Sequence, residues 1–420
     1  MSITAKTFHF FMILIFLAAF LNTANAAEFS GLGDGTENNP YQITTFSQLD
    51  EVRYDLSANY ILMNDLDFND FSGDWIPLGN SQDSDNLEVF EGIFDGNNKT
   101  IYNLTINTVN NNQGLFFCVA FEGKIINLNM ENAKIIGNEY VGVIAGYIAS
   151  NSSVINCRIM NSTVSASMYG GAVAGLSFES LIDSCSVINS SIASSYNSGG
   201  IVSENRNNVI KNSIVENTKI QSNGLVGGIA ALNDHGSIIE NSSVVNCSIK
   251  SETSAAWSSY FDSAGGISGW SIDGIITGCR ASGEIISVGG AGGQVGGISG
   301  TAYNTTIEDC HSFSSVTSTS FGNVGGIAGY AEECRINNCS SLNSEINQFE
   351  SFKSIRKNHS FFDYIFLKIE YNAGYIVGGG DGNQISDCVY SDKIESNKPI
   401  FKKSGSKKVN YVDDWTGFII

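Results

Sequence analysis

The sequence predicts an all-β protein, a single parallel β-helix of about nine coils with an N-terminal cap containing one short helix. Three observations predict it. A Gly-rich unit returns at near-constant spacing, an apolar-x-x-Cys/Ser element keeps step with it, and all three prolines (Pro40, Pro77, Pro399) stand outside the repeats.

The Gly unit starts at Gly114 (GLFFC), Gly142 (GVIAG), Gly171 (GAVAG), Gly199 (GGIVS), Gly227 (GGIAA), Gly265 and Gly296 (both GGISG), Gly325 (GGIAG) and Gly374 (GYIVG). The intervals are 28, 29, 28, 28, 38, 31, 29 and 49 residues, so six of the eight agree closely and two carry insertions. The second element runs from Val154 to Cys157, Ile182 to Cys185, Ile210 to Ser213, Ile239 to Ser242, Ile276 to Cys279, Ile307 to Cys310, Ile336 to Cys339 and Ile385 to Cys388. The residue before each Cys or Ser is Asn, Asp or Ser, except for Gly278.

Short runs rich in Ile, Val, Ser, Thr and Asn alternate apolar with polar, which is the period of a strand. Parallel strands need a crossover, and a chain that winds once around an axis supplies it. Each residue then lies above its counterpart, so one residue type fills each buried column. Proline, lacking an N–H, is excluded from such ladders. An α-solenoid is excluded by the missing 3.6-residue period, and a four-stranded propeller blade does not fit so short a repeat. Nine coils at about 4.8 Å spacing make a rod roughly 40 Å long.

Element by element, Lys6, the apolar run Phe8 to Leu21, and Ala24, Asn25 and Ala26 form a signal-peptide pattern over residues 1–26. The run is too short to span a bilayer and no second one follows, so the expected location is secreted, extracellular or cell-surface, with no transmembrane segment in the mature chain. Residues 27–100 are expected to form the cap and first strands. There Thr45 and Gln48 match a capping box, with Phe46, Leu49, Val52 and Leu56 at helical spacing. Residues 101–395 carry the coils, with insertions at 253–263 and 349–371. Residues 396–420 form a tail, Lys402 to Lys408 leading to a closing strand within Tyr411 to Ile420.

The chain has 22 Lys+Arg against 42 Asp+Glu. So acidic a balance argues against nucleic acid or an anionic membrane as partner. Calcium is the one cofactor worth weighing, but Asp65, Asp67, Asp70 and Asp74 do not have EF-hand spacing. Six of the nine cysteines share one repeat position, and stacked strands hold Cβ atoms too far apart for a disulfide. They are expected to be buried thiols acting as small hydrophobes. Cys334 and Cys339 are the expected pair if any cross-link forms.

The Gly-Leu-Phe and Gly-Gly-Ile-Ala-Gly units resemble the GLUG-motif repeats of bacterial and archaeal surface proteins. The segment before them is similar to the lead-in of such proteins, with landmarks Asn39 to Ile43, Asn64 to Asp67, Trp75 to Gly79 and Phe94 to Asn97. The resemblance covers Gly33 to Asp392. It implies a β-helix and an extracellular location, and it implies no catalytic residues.

Hydrolysis of a glycan needs paired carboxylates on one face, and a lyase needs a base beside clustered acids. No two of His9, His235, His311 and His359 share a repeat position, and the Asn-Asp-His-Gly around His235 is expected to be a loop. No catalytic constellation is recognisable. The expected function is therefore a non-catalytic surface protein in adhesion or structure, with an extracellular glycan or protein as partner. The alternatives are a carbohydrate-active β-helix enzyme, expected to show acids aligned on three adjacent coils, and a glycan-binding module. Candidate contacts lie in the insertions: Trp257, Tyr260 and Phe261 in the first, and Phe349, Phe352, Phe361 and Phe362 in the second.

Overall fold

In the computed structural model of the protein, residues 29–71, 73–83, 86–252, 262–288, 293–319, 322–348, 373–374, 376–390 and 410–411 are described. The chain winds as a succession of short parallel strands, and the expected β-helix is what it forms. A twelve-stranded sheet runs from Tyr41–Ile43 to Gln384–Ser386. A nineteen-stranded sheet takes two short strands from most coils, such as Asn129–Glu131 and Lys134–Gly137. A seven-stranded sheet begins at Tyr169–Gly171, and a nine-stranded sheet runs from Phe116–Val119 to Val377–Gly379. The last has one strand for each of the nine Gly units.

Register is kept from coil to coil. In the first sheet Ile125, Val154, Ile182, Ile210, Ile239, Ile276, Ile307 and Ile336 form one column, and each is fully buried. Burying each such side chain is worth roughly 1.5–3 kcal/mol. The third residue of the Gly unit fills a second column, from Ile144 through Ile201 and Ile267 to Ile327.

The glycines of the unit are steric requirements. A Cβ on Gly199 would lie 1.7 Å from the Val202 carbonyl oxygen, and one on Gly325 would lie 1.8 Å from that of Ala328. The chain turns so sharply from the seven-stranded to the nine-stranded sheet that backbone occupies the Cβ position. The corner after the first sheet is handled differently. Asn127, Asn156, Ser184, Asn212, Asn241, Gly278, Asp309, Asn338 and Asp387 stand there, all with φ between 48° and 65°. From Asn156 on these are the residues that precede each Cys or Ser (Asn127 precedes Leu128), and Asn, Asp and Gly tolerate this left-handed conformation best.

Cys and Ser alternate in the next column because they make the same bond. Cys157 Sγ donates to the Ile155 carbonyl (3.4 Å), as Ser213 Oγ does to Lys211 (2.9 Å) and Ser242 Oγ to Glu240 (2.9 Å). The column is therefore hydrogen-bonding as well as space-filling. All nine cysteines are free and buried. The expected Cys334–Cys339 pair is not bonded. These residues flank the strand Arg335–Asn337, and an extended chain at about 3.3 Å per residue carries them beyond disulfide reach.

The cap helix is Phe46–Glu51, continued by a 3-10 turn Val52–Tyr54. Thr45 Oγ1 accepts from Gln48 N, but Gln48 Oε1 accepts from Thr44 N (2.7 Å), one residue earlier than a capping box requires. Leu49 and Val52 are buried, and Phe46, Phe68, Phe71 and Trp75 close the end of the core edge to face. Of the expected closing strand, Asn410–Tyr411 pairs parallel with Val389–Tyr390. The rest of the tail and the signal peptide lie outside the described residues. Among the described residues no helix is long and apolar enough to cross a membrane.

The two long insertions fall at one corner, between the nineteen-stranded and seven-stranded sheets. Ser222 and Leu225 are separated there by two residues, whereas Glu252 to Ser263 and Gln348 to Ala373 span the insertions. The ladder resumes in register after each, with Leu225 opposite Ser263 and Val324 opposite Ala373. Two other corners vary by a single residue, as Val244 to Cys247 against Ala281 to Gly283 and Ile148 to Ser153 against Ser177 to Leu181.

Candidate ligand-binding face

The strands of the nine-stranded sheet alternate inward and outward residues. Ala174, Val202, Ala230 and Ala328 point into the core, and from Gly142 on the sixth and eighth residues counted from the Gly start point outward. The sixth-position column reads Tyr147, Leu176, Glu204, Leu232, Trp270, Thr301, Tyr330. The eighth reads Phe178, Arg206, Asp234, Ile272, Tyr303, Glu332. Beside them, on the flank of the seven-stranded sheet, stand Tyr140, Tyr169, Asn197 and Leu225.

These outward columns are partly covered by each other, which makes the face a groove. Leu176, Leu232 and Thr301 are buried although they point away from the core. At one end Tyr140 and Tyr169 stack at 5.0 Å between ring centroids, with Tyr147 at 6.3 Å from Tyr140 and Tyr196 edge-on to Tyr169 at 5.6 Å. At the other, Trp270, Tyr303 and Tyr330 follow one another at 6.2 and 5.7 Å.

Between the aromatic ends lies an ion cluster. Arg206 Nη2 is 2.9 Å from Glu204 Oε2, and Arg206 Nε is 4.0 Å from Asp234 Oδ1. Asp234 Oδ2 lies 2.9 Å from His235 Nδ1. Glu204 is 3% exposed and Asp234 7%. Arg206 Nε and Asp234 Oδ1 are buried and hydrogen-bond to nothing among the described residues. Burial raises the Glu204 carboxyl above its ordinary value against the opposing pull of Arg206, and the Asp234 charge adds to the rise. Burial likewise raises the Tyr140 and Tyr169 hydroxyls, helped by the nearby Glu204 charge. Tyr330, also raised mainly by burial, donates to Glu332 Oε2 at 2.6 Å.

A second concavity, of about 820 Å³, lies where the cap segment with Trp75, Ile76 and Pro77 meets the loop Thr108 to Gln113. It is open and mostly polar, and carries no converging charged groups.

None of the candidate contacts read from the sequence can be placed: Trp257, Tyr260, Phe261, Phe349, Phe352, Phe361 and Phe362 lie outside the described residues. His235 sits in a turn at φ 56°, as expected of its loop. Its neighbour Asp234 was passed over, as were Glu204, Arg206 and the tyrosines. The sixth and eighth repeat positions hold Glu204, Arg206, Asp234, Tyr147, Tyr303 and Tyr330, while Tyr140 and Tyr169 stand two residues before a Gly start. Two carboxylates, Glu204 and Asp234, occur on adjacent coils, and neither column aligns acids on three. Among the described residues no three His, Cys, Asp or Glu side chains gather as a metal site. Asp65 and Asp67, weighed for calcium, accept instead from Thr100 N (2.8 Å) and from Asn69 N (2.9 Å).

No family model matches the chain. Part of it is 28% identical over 161 residues to halomucin of Haloquadratum walsbyi, covering 36% of this chain and 2% of that protein. It is 31% identical over 140 residues to an Evansella cellulosilytica protein described as a Gly-rich membrane protein, covering 32% of this chain and 16% of the relative. The chain thus spans a small part of the length of these relatives. Among solved structures it is similar to a Bacteroides ovatus protein crystallised under the name of an immunoglobulin A1 protease, at 18% identity and a TM-score of 0.38, with 89% and 82% of the two chains covered. A second, titled IgA1 protease, matches at 18% identity and a TM-score of 0.43, over 74% of this chain and 23% of that one.

Proposed function

We propose that this chain is a non-catalytic secreted or cell-surface repeat protein of the GLUG type that serves in adhesion or extracellular structure. The observation that carries the reading is the in-register ladder from Phe94 to Ser386, which builds a rigid rod and displays its side chains on long outer faces. The matches to halomucin and to a relative described as a membrane protein support a place at the cell surface. Brief protease treatment of intact producing cells, followed by immunodetection of the chain, tests it. Digestion from intact cells or recovery from the medium supports the reading, and retention inside protected cells refutes it.

One observation favours a second reading. Glu204 and Asp234 flank Arg206 in a groove, an acid–base set that glycan hydrolysis or elimination could use. That reading requires new reducing ends or unsaturated products from a polysaccharide, lost in Glu204→Gln.

A further inference from the structure

We infer that the outer face of the nine-stranded sheet is a binding groove for a neutral polysaccharide chain lying along the rod axis. This deepens the surface reading above by naming its partner. Three features converge on that ligand. The groove runs over seven consecutive coils, from Tyr147 to Tyr330, at about 4.8 Å per coil. It therefore suits an extended polymer and has no closed end to hold a small molecule.

Its ends are aromatic. Tyr196 is 49% exposed beside Tyr169, and Tyr303 and Tyr330 continue the line beyond Trp270. Aromatic surface of this kind packs against the apolar C–H faces of sugar rings. The centre is polar and only partly satisfied. Arg206 Nε, a donor, and Asp234 Oδ1, an acceptor, face each other at 4.0 Å without bonding. A hydroxyl group both accepts and donates, so a sugar hydroxyl can bond to both once the half-exposed Arg206 side chain turns aside.

Charge chooses among glycans. Glu204, Asp234 and Glu332 outnumber Arg206 along the groove, on a chain of net charge −20. A uronate polymer would be repelled, whereas neutral hydroxyls donate well to carboxylates. A peptide strand finds no ladder to join on this face, because both edges of each inner strand are already paired.

The test is isothermal titration of the chain with cellohexaose, laminarihexaose and mannohexaose, and with polygalacturonate as the anionic control. Saturable binding of at least one neutral hexasaccharide is expected, at least tenfold weaker in Asp234→Asn and in Tyr330→Ala, with polygalacturonate not binding. Tyr330 points outward and is only partly buried, so the urea midpoint of its variant separates lost contact from lost fold. Binding to none of the neutral hexasaccharides, preference for polygalacturonate, or affinity unchanged in both variants would overturn the inference. The protease test on intact cells is independent of these results, so the surface reading can stand if the glycan reading fails.

Discussion

Replacing Gly199 by alanine should break one corner of the rod. The added Cβ would meet Val202 O at 1.7 Å, Val202 C at 2.6 Å and Ile229 O at 3.0 Å. All three atoms are backbone, so no side chain can swing away. To reach 3.0 Å, the shortest contact that real Cβ atoms show, the Val202 carbonyl would have to retreat by about 1.3 Å. Overpacking of a well-filled site costs roughly 1–3 kcal/mol. A retreat of that size also strains the bond from Gly200 N to Gly227 O, worth about 1 kcal/mol. The expected loss is about 3 kcal/mol, or somewhat more than about 100-fold in an opening equilibrium. Because each coil contacts its neighbours only, the loss should be local. Hydrogen exchange of Val202–Arg206 and Ala230–Asp234 should accelerate accordingly, while strands near Ala328 keep their protection. Gly236→Ala is the control: it has φ +77° and no heavy atom within 4 Å, so only the left-handed cost of roughly 1–2 kcal/mol applies. If Gly199→Ala loses less than tenfold protection, or no more than Gly236→Ala does, steric exclusion is not why the motif is glycine.

Three further outcomes follow from the same geometry. Asn212→Ala should cost roughly 1–2 kcal/mol at its left-handed corner, while Asn212→Gly costs clearly less; equal urea midpoints for the two would contradict the corner account. The native chain should leave all nine thiols unmodified by a thiol reagent at neutral pH and expose nine in urea, since all nine are buried and burial pushes Cys118 up to about 12 and Cys247 to about 11; prompt native labelling, above all of Cys339, whose thiol is drawn down by its hydrogen bonds with Cys310 and Cys388, would refute this. Glu204 has a folded pKa raised by burial, so its contribution to stability is full below the unfolded value and is lost as pH rises through the folded one. Glu204→Gln should therefore gain on the wild type as pH rises above about 4, and a midpoint difference independent of pH would show that the carboxyl does not feel its burial.

The coil was legible because its rules repeat. Glycine where a Cβ cannot fit, isoleucine in the columns and asparagine at the corners each recur in step, so a spacing count finds them. Even the Cys/Ser alternation was visible, although its cause, a bond to the carbonyl two residues earlier, needed coordinates. The groove was harder to read because its columns change chemistry from coil to coil. Tyr147, Glu204, Leu232 and Trp270 share one position and no property. Only their common offset from the glycine links them. Searching for residues of like type therefore passed over them and settled on the aromatic-rich insertions. The one short helix of the cap was legible as well. Phe46 to Leu56 keep helical spacing, but the chain tightens at Val52 to lead Tyr60–Leu62 into the first sheet.

The corner between the nineteen-stranded and seven-stranded sheets has a consequence for how such a chain can change over generations. Within a strand a single inserted residue would throw a column out of step and flip inward side chains outward, and two other corners absorb only a single residue, as at Val244 to Cys247 against Ala281 to Gly283. At the nineteen-to-seven seam the rod accepts two residues, as between Ser222 and Leu225, or more than twenty, as between Gln348 and Ala373, with the next rung unaffected. Long insertions thus line up along the molecule, beside the strands that carry Tyr169 and Asn197. A foreign loop spliced after Ser222 should be displayed there while Leu225 keeps its place opposite Ser263.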